Sequence, residues 1–589
     1  MTRKAPLFTF AVITDTHVRP AVLDRSSPFP VNDLANDRAR HAIAEILRHD
    51  PAFVIHLGDM VHTLPHMPAY VDACREAKEI FAPLMSVMRF VAGNHDIGDK
   101  PSVDAPAAPI TEATTQIYRA QFGSDYSAFD HQDCVFVLLN SSLVNSGTRE
   151  ENEQRAWLEQ TLADAQGRRV FVFSHYPPFI NDPHEQPHYD NYSEPGRSWL
   201  VGLLRRHGIE ALMSGHVHQF FFNRVGASKL YCLPPTSFIR QDYADLYKIE
   251  PTSEFGRDDT GKFGFALVDV FEDGHGLRVV QTDGRQLEKE AQPTRPSRPV
   301  DVSSQQDRPL TVHLRHAWAE TVELPYNGPM EEFSRKRARN DYTLLRLWQM
   351  GLSSVRVPIG DLLDEATRQR VLDYPSAGIR FCVFSVGVPS ASALEALRPA
   401  LAAIEHFEMV TAHVDLSDLA DMSPLAALPG IQIVVGKAHS SKQETGGEKV
   451  FAHSVSYGFK FDERERAVAA CGARPDGRLV SRLAFQVNLT DDLPQRLHEL
   501  DAFGAEHSLG VIANIRLADQ NPAVANFNDE LIAERVMTAV RCADGLANTS
   551  LQLDTFVDID RGYNPRHGLL DRHYNFREAG RWLAGPKDR

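Results

Sequence analysis

Carboxylate, imidazole and carboxamide side chains recur in five short polar blocks of the N-terminal half. The blocks are "DTH" at 15–17, "GD" at 58–59, "GNHD" at 93–96, "SH" at 174–175 and "GHVH" at 215–218. Such oxygen and imidazole donors suit Mn, Fe, Zn or Co and need no thiolate. Two metal ions roughly 3.5 to 4 Å apart need a bridging ligand, which one carboxylate can supply. The blocks together favour metal chemistry, although each alone is also typical of a turn, a helix cap or a solvated loop.

The blocks share one position, since each follows an apolar run that predicts a strand. The runs are "FTFAVITD", "FVIHLGD", "RFVAGNHD", "RVFVFSHYPP" and "EALMSGHVH". The carboxyl ends of neighbouring strands in an α/β sheet open onto a common crevice where ligands bind. Residues two apart on an extended strand point the same way, so Asp15 and His17, or His216 and His218, can both reach inward. We therefore expect the blocks to converge.

Helical patterns separate several of these strands, for example at residues 39–50 and 154–165. The continuous apolar runs suggest strands that are covered on both faces. Further strand-like runs are "CVFVLLNSS", "KLYCLPPTSF" and "GFALVDVF". The pattern predicts a layered α/β domain with a largely central sheet over residues 1–285.

Residues 286–309 predict an interdomain linker, because "EAQPTRPSRPVDVSSQQDRP" at 290–309 has no periodic apolar pattern. In residues 310–589, eight strand-like segments alternate with helix-like segments such as residues 392–407. The eight segments are "TVHLRHAW", "SSVRVPI", "RFCVFSVG", "EMVTAHVD", "IQIVVGKA", "RLAFQVNL", "GVIANIRL" and "LQLDTFVD". This number and rhythm predict a C-terminal (β/α)8 barrel-like domain.

Composition narrows the function classes. A chain of 589 residues exceeds one hydrophobic core, and its formal charge of -16 argues against nucleic acid or an anionic membrane as the main partner. The six cysteines show no CxxC spacing and predict reduced core residues. No apolar stretch reaches membrane-spanning length and the first strand lacks a signal-peptide cleavage site, so we expect a cytoplasmic protein.

The five blocks in this order resemble the calcineurin-like metallophosphoesterase superfamily, in particular its class III cyclic-nucleotide and glycerophosphodiester phosphodiesterase branch. The resemblance covers roughly the first 285 residues. It implies a metallophosphoesterase sandwich that binds two divalent or trivalent transition-metal ions, such as Mn, Fe or Zn. The implied ligands are Asp15, His17, Asp59 and His218 for one ion, and Asp59, Asn94, His175 and His216 for the other.

The resemblance also implies a mechanism. Hydroxide from a metal-bridging water attacks phosphorus in line while the cations neutralise the phosphoryl oxygens. The catalytic residues are then Asp59, which bridges the metals, and His95, which is not a ligand but assists the departing alkoxide. In this interpretation Gly93 permits the turn and Asn94 binds metal. His62 stands where purple acid phosphatases have a tyrosine, which argues against a charge-transfer ferric site.

Residues that select the substrate are harder to predict. Arg19 could meet a phosphate oxygen or lie on the surface, and Asp96 could orient His95, orient the turn or be solvated. The long insertion at 175–196 predicts either a lid or a disordered loop. The candidate substrate residues are Arg19, Asp96, His184, His188 and Tyr189.

If the second half is a barrel, its functional face lies at the carboxyl ends of the strands. The patch at 554–575 could form a second active site, a sugar or phosphate pocket, or an interdomain contact. Candidates at this face are His316, Arg356, His413, Asp415, Lys437, Gln486, Asn488, Arg516, Asp554 and Asp558.

The leading hypothesis is a phosphodiesterase that cleaves a small anionic phosphoester. The same site could serve a phosphomonoesterase. A hypothesis of another class treats the first domain as a metal-stabilised binding or scaffold module, with the activity in the barrel. The sequence leaves open whether the chain forms a homo-oligomer.

Overall fold

The chain divides into two structural units. In the computed structural model the first unit contains residues 1–304 and 321–345, and the second contains residues 305–320 and 346–589. The structure describes residues 5–22, 27–102, 105–289, 291, 307–325, 335–411, 421–440, 455–472, 479–517, 528–558 and 567–585. Most of the linker predicted at 286–309 lies outside these residues. Residues 321–345, which we expected within the barrel-like domain, group with the first unit.

Two sheets build the first unit, where the sequence suggested one largely central sheet. The first sheet has the order β11-β10-β1-β2-β3, with β1 Phe8–Ile13, β2 Val54–His56, β3 Met88–Phe90, β10 Gly264–Phe271 and β11 Gly274–Gln281. The second has the order β4-β5-β6-β7-β9-β8, with β4 Ser127–His131, β5 Cys134–Leu139, β6 Arg169–Ser174, β7 Ala211–Ser214, β8 Phe221–Val225 and β9 Ser228–Cys232. Strands β1, β2 and β3 are parallel, and so are β5, β6, β7 and β9.

A layer of phenylalanines fills the space between the two sheets. Phe10 of β1 stacks on Phe53 with ring centroids 5.0 Å apart and meets Phe136 of β5 edge to face at 5.5 Å. Phe136 stacks on Phe171 of β6 at 5.3 Å. Aromatic rings bury roughly 150–250 Å² each, so this layer supplies much of the contact that holds the sheets together. The inner face of each sheet is therefore covered by the other sheet, which explains why both faces of these apolar strands are buried.

Helices cover the outer faces of both sheets. The helices of this unit are α1 Ala35–His49, α2 Tyr70–Phe81, α3 Asn94–Ile97, α4 Glu112–Phe122, α5 Arg149–Asp164 and α6 Gly196–His207. Helices α1, α2 and α4 share a hydrophobic core with the first sheet, and α5 and α6 share one with the second. The first unit is thus the layered sandwich of helices and sheets that the sequence analysis expected.

Two antiparallel strands, at residues 321–325 and 335–339, complete the first unit, and we call this pair the hairpin. Its strands, β13 Thr321–Pro325 and β14 Arg335–Arg339, pair antiparallel. Leu324 and Ala338 are buried in one apolar cluster with Val217. The carboxylate of Asp341, just after the hairpin, accepts a hydrogen bond of 2.9 Å from the backbone nitrogen of Phe222. Because side chains alternate along a strand, one face of the hairpin is buried in this unit.

The second unit is a closed barrel of eight parallel strands, as the sequence analysis predicted. Around the barrel the order is β17-β16-β15-β12-β22-β21-β20-β18, and β17 also pairs with β18, which closes the sheet. The strands are β12 Leu310–His313, β15 Ser354–Pro358, β16 Arg380–Val386, β17 Ile404–Thr411, β18 Gln432–Ser440, β20 Val480–Val487, β21 Gly510–Ile515 and β22 Thr549–Leu553. A further strand, β19 Val455–Tyr457, lies antiparallel to β18. Helices are α7 Tyr342–Met350, α8 Ile359–Leu363, α9 Glu365–Asp373, α10 Ala391–Ala396, α11 Arg464–Gly472, α12 Leu493–Glu506, α13 Asp529–Ala543 and α14 Glu578–Ala584.

The helix predicted at 392–407 is shorter than expected. Helix α10 ends at Ala396, a 3-10 turn follows at Arg398–Ala403, and β17 begins at Ile404. Pro399 has no backbone N–H and disfavours helical backbone in the residue before it. The apolar residues after the proline therefore belong to the strand.

All six cysteines are free thiols, and all but the half-buried Cys542 are buried. This agrees with the interpretation of reduced core residues. Among the described helices, none has the length and apolar character needed to cross a membrane.

Candidate metal centre

The five polar blocks converge within the first unit. The strands that precede them end at Ile13, His56, Phe90, Ser174 and Ser214. Two groups of ligand atoms each lie within 4.8 Å: Asp15, His17, Asp59 and His218 form one, and Asp59, His175 and His216 form the other. Asp59 belongs to both groups. Because β1, β2 and β3 belong to one sheet and β6 and β7 to the other, the residues meet where the ends of two sheets come together.

Five of the predicted ligands have left-handed backbone. The φ angle is +52° at Asp15, +45° at His17, +51° at Asp59, +66° at His216 and +55° at His218. We expected Asp15 and His17, and likewise His216 and His218, to point the same way from an extended strand. This was wrong, since the strands end before these residues. Backbone strain of this kind costs of order 1–3 kcal/mol per residue and is typical of functional sites. The direction of each side chain is therefore set by the turn at that residue and not by the strand before it.

Two glycines let the loops approach one another closely. A Cβ on Gly93 would lie 2.1 Å from the backbone nitrogen of Asp59, and one on Gly215 would lie 2.0 Å from Oγ1 of Thr14. The backbone of Gly93 is extended, with φ at -93°, so any residue could adopt it. Gly93 is therefore needed for close packing against the Asp59 loop, and not for the turn that the sequence suggested.

In the first group, three candidate ligand atoms lie close together. His218 Nδ1 donates to the backbone carbonyl of Phe238 at 2.6 Å, which leaves Nε2 as the ring nitrogen that faces the other two atoms. That Nε2 atom lies 3.1 Å from His17 Nε2 and 3.1 Å from Asp15 Oδ1. The Asp59 carboxylate lies 3.5 Å from His17 Nε2 on the other side.

Asn94 Oδ1 lies beside both histidines of the second group. It lies 3.0 Å from His175 Nε2 and 3.1 Å from His216 Nδ1. His175 Nδ1 donates to the backbone carbonyl of Leu57 at 2.9 Å, which directs Nε2 toward Asn94 and toward Asp59 Oδ1 at 3.3 Å. Hydrogen bonds to backbone carbonyls commonly fix the orientation of metal-binding histidines.

Burial and neighbouring charges set the protonation of both groups. Burial lowers the pKa of His17 well below its usual value and the pKa of His216 to about 3. Burial would raise the pKa of Asp59, but His175, His95 and His17 hold it well below its ordinary value. Burial would lower the pKa of His175, but Asp59 raises it to about 9. His17 and His216 thus offer neutral imidazoles and Asp59 an ionised carboxylate, whereas metal binding at His175 would displace a proton.

The donor set fits bound metal ions. Asp15 Oδ1 is buried, and among the described residues it has no hydrogen-bond partner. The atoms nearest to it carry lone pairs of their own, so they cannot satisfy one another without a cation or a proton. A cation in each group would satisfy oxygen and nitrogen donors together, and the mixture of carboxylate, imidazole and carboxamide suits first-row transition metals.

His95 lies beside the first group, together with a histidine whose role the sequence analysis missed. The backbone nitrogen of His95 donates to Asp59 Oδ1 at 2.9 Å, and its Nδ1 donates to the backbone carbonyl of His62 at 2.5 Å. His62 Nδ1 lies 3.3 Å from His17 Nδ1. The sequence analysis uses His62 only as evidence that the tyrosine of purple acid phosphatases is absent, although its place three residues after Asp59 is itself a signal for a site residue.

The predicted substrate residues differ in their surroundings. Tyr189 accepts a hydrogen bond of 3.2 Å from Asn94 Nδ2, which turns Asn94 Oδ1 toward the histidines. Arg19 is buried and paired with Asp33. His188 is buried with its Nε2 atom 3.3 Å from Glu185, whereas His184 is exposed.

Asp96 also differs from a substrate-binding group. Its carboxylate is fully buried and accepts hydrogen bonds of 3.0, 3.2 and 2.9 Å from the backbone nitrogens of Met60, Val61 and Gly93. Asp96 therefore joins two of the ligand-bearing loops. These contacts agree with the turn-orienting alternative and not with orientation of the His95 ring.

A buried charged group behind His216 was not predicted from the sequence. We call it the Asp190 cluster; its members are Asp190, Arg240, Asp242 and Lys336, whose side chains are at most 5% exposed. Asp190 Oδ1 lies 3.6 Å from His216 Nε2. Lys336 comes from β14, more than a hundred residues after His216, and no local pattern indicates that it is buried.

Of the barrel candidates, His413 and Asp415 lie outside the described residues. The remaining candidates are buried near the carboxyl ends of the strands or in the segments that follow them, apart from the half-buried His316 and Asn488.

Comparison with known proteins places the first unit in a family. Residues 8–220 match the calcineurin-like phosphoesterase family. The chain is 31% identical over 182 residues to the serine/threonine-protein phosphatase CPPED1 of Danio rerio, and 26% identical over 182 residues to that of Homo sapiens. These matches cover 29% of this chain and 56% and 55% of the relatives. The chain thus spans about half the length of the curated relatives it matches.

Among solved structures, a predicted phosphoesterase from Streptococcus pneumoniae TIGR4 is 12% identical, with 48% of this chain and 94% of that chain covered and a TM-score of 0.21. A family 39 glycoside hydrolase from Bacteroides cellulosilyticus WH2 is 11% identical, with 55% and 69% covered and a TM-score of 0.30. Neither likeness carries weight at such TM-scores. The family match, together with the ordered blocks and their convergence, identifies the N-terminal region of this chain as a calcineurin-like metallophosphoesterase domain.

Proposed function

We propose that the first unit is a two-metal phosphohydrolase that cleaves a small anionic phosphodiester. The observation that supports this most directly is the sharing of Asp59 by two groups of buried ligand atoms. Two ions held there would acidify water and neutralise phosphoryl oxygens near neutral pH. The proposed ligands of one ion are Asp15, His17, Asp59 and His218, and those of the other are Asp59, Asn94, His175 and His216.

His95 is the proposed proton donor to the leaving oxygen. Its Nδ1 atom donates to the His62 carbonyl, so Nε2 is the ring atom that can deliver a proton. Its backbone nitrogen is hydrogen-bonded to Asp59 Oδ1, which fixes the position of His95 relative to the carboxylate that both groups share. The ring is only partly buried, so a substrate can reach it.

The charges around the centre favour a diester. Arg240 is paired with two carboxylates, Arg19 with Asp33, and the Lys100 ammonium donates to a backbone carbonyl at 2.8 Å. A monoester dianion needs more positive charge than a diester monoanion, and these three cations are already engaged. The second candidate is a phosphomonoesterase, which is favoured by the name of the CPPED1 relatives, serine/threonine-protein phosphatase.

Hydrolysis of bis-p-nitrophenyl phosphate and of p-nitrophenyl phosphate with added Mn tests this proposal. We expect diester turnover to exceed monoester turnover in the wild type. Asp59→Ala should lose both bound metal and activity. His95→Ala should keep its metal and lose about 10²–10⁴-fold in kcat, the usual contribution of general acid catalysis. His207→Ala, at the end of α6, is the matched histidine control.

The outcomes separate the alternatives. Faster turnover of the monoester would favour the second candidate, and activity that survives Asp59→Ala would contradict the metal mechanism. Metal binding without turnover of either ester would contradict the enzymatic proposal and support a metal-stabilised scaffold.

A further inference from the structure

The interior of the barrel contains charged groups where a barrel of this type normally has branched apolar residues. Arg356 of β15 is fully buried, and its Nε donates to Glu408 of β17 at 2.6 Å. Its Nη1 lies 3.2 Å from Nε2 of His313 on β12. Burial and the charge of Arg356 lower the pKa of His313 well below its usual value, so this imidazole is neutral. Burying such an ion pair is costly and calls for a reason.

Three of the cationic side chains near the carboxyl ends of the strands have carboxylate partners. Arg356 is paired with Glu408, and the Lys437 ammonium with Glu463. Arg315 lies 3.9 Å from the carboxylate of Asp554. These three pairs are balanced, so they present little net charge to a molecule that enters the barrel.

Gln486 is a neutral group whose amide, among the described residues, has unpartnered polar atoms on both sides. Its neighbour Phe485 packs on Phe503 of α12, so Gln486 faces the opposite way, into the barrel. The residue is only 2% exposed, yet among the described residues neither its Oε1 nor its Nε2 has a hydrogen-bond partner. Nη2 of Arg356 is also buried, and it also has no hydrogen-bond partner among the described residues.

The neighbouring Asn514 differs from Gln486, because both polar atoms of its amide have hydrogen-bond partners within the barrel. Asn514 lies directly opposite Gln486 in the pairing of β20 with β21. Its Nδ2 donates to the backbone carbonyl of Tyr457 at 2.9 Å, and its Oδ1 accepts from Gln552 at 3.4 Å. The Tyr457 ring lies 4.8 Å from the Arg356 guanidinium carbon. The backbone nitrogen of Gln486 donates to the carbonyl of Phe459 at 2.9 Å, so Gln486 and Arg356 both lie beside the segment 457–459.

We propose that Gln486 and Arg356 form a second ligand site, at the carboxyl end of the barrel, for a neutral polyhydroxylated molecule such as a sugar or polyol. A buried polar group without a protein partner is unusual, and a ligand that reaches the carboxyl end of the barrel would supply the missing partner. The available groups are two donors, Gln486 Nε2 and Arg356 Nη2, and one acceptor, Gln486 Oε1. Hydroxyl groups both donate and accept, whereas the oxygens of a phosphate would oppose Oε1. This site is separate from the proposed phosphoesterase centre.

The first test is thermal unfolding of the full chain and compares Gln486→Leu with Asn514→Leu. Removing an unpartnered amide should leave the midpoint of the barrel transition unchanged or raise it. Removing the bonded amide of Asn514 should lower the midpoint by about 2–4 °C, since it leaves a carbonyl without its partner. A Gln486→Leu midpoint that falls as far as that of Asn514→Leu would make Gln486 a structural residue and overturn the proposal.

The second test is ligand-observed NMR of the full chain with neutral probes and with inorganic phosphate. The neutral probes are glucose, galactose, mannose, xylose and mannitol. We expect saturable binding of at least one neutral probe, weakened about tenfold or more in Gln486→Leu and unchanged in His207→Ala. Absence of binding by every neutral probe, or phosphate binding alone that depends on Gln486, would overturn the proposal.

Discussion

Replacing Lys336 by methionine tests how the buried charges of the first unit are balanced. The Lys336 side chain is 0% exposed, and its ammonium contacts both Asp190 and Asp242. In the variant both carboxylates keep the Arg240 guanidinium, and Asp190 also keeps the Tyr243 hydroxyl, which donates to it at 2.8 Å, and the more distant His216 Nε2 at 3.6 Å. Removing one partner of a buried ion pair typically costs about 3–5 kcal/mol, because the remaining charge is left without compensation.

This cost is a large fraction of the 5–15 kcal/mol that stabilises a typical folded protein. For a unit of this size it corresponds to a fall of about 4–7 °C in the unfolding midpoint, measured by calorimetry. The matched control is Lys289→Met, since that ammonium is 53% exposed and pairs with Glu76 and Glu79. Exposed ion pairs contribute about 0–1 kcal/mol, so the control should change little.

The pH dependence gives a second readout. Burial would raise the pKa of Asp190, but Arg240 and Lys336 hold it well below its ordinary value. A group with a depressed folded pKa contributes stability above its unfolded pKa and loses it as the pH falls. The difference between wild type and Lys336→Met should therefore be largest near neutral pH and shrink below about pH 4. Adding Asp242→Asn should recover part of the loss. If Lys336→Met costs no more than Lys289→Met, the charge-balance argument is wrong.

Two further substitutions test the close packing of the ligand loops and the loss of stability at low pH. Gly93→Ala should lower the metal content and stability of the purified protein, because a Cβ would lie 2.1 Å from a backbone nitrogen of the Asp59 loop; Gly360→Ala, with no atom within 4 Å, is the control. Burial would raise the pKa of Glu210, but hydrogen bonds from Arg169 and a neighbouring histidine lower it to about 2 from 4.5. This carboxylate then contributes about 3 kcal/mol above pH 4.5 that is lost as the pH falls toward 2, so Glu210→Gln should flatten urea-unfolding stability over that range.

Much of the candidate site follows from the sequence because its residues are placed by strand ends. Asp15, Asp59 and His175 each follow an apolar run by one to three residues, and the observed strands end where those runs end. The eight barrel strands were also predictable, because buried parallel strands are continuous apolar runs. The local sequence pattern was sufficient to predict a strand wherever burial of both faces requires consecutive apolar residues.

Other features depend on contacts that a local pattern cannot encode. The left-handed backbone at His17 and His218 is imposed by the packing of the loops, not by a sequence signal such as glycine. The division of the first unit into two sheets was missed because a strand covered by a sheet and one covered by a helix look alike in sequence. The barrel charges were recognised as candidates, but the pairing of Arg356 with Glu408 joins residues on different strands.

The hairpin at 321–339 has a consequence for the organisation of the chain. It follows β12, the first barrel strand in the sequence, yet Lys336 balances Asp190 and Asp242, and Leu324 packs with Val217. Val217 stands between His216 and His218, so the hairpin supports the loop that carries two proposed metal ligands. A boundary in the linker at 286–309 would therefore separate the phosphoesterase fold from part of its own core. The order of residues along the chain and the division into units do not coincide, because buried charge and apolar contact, and not sequence proximity, decide which unit a segment joins.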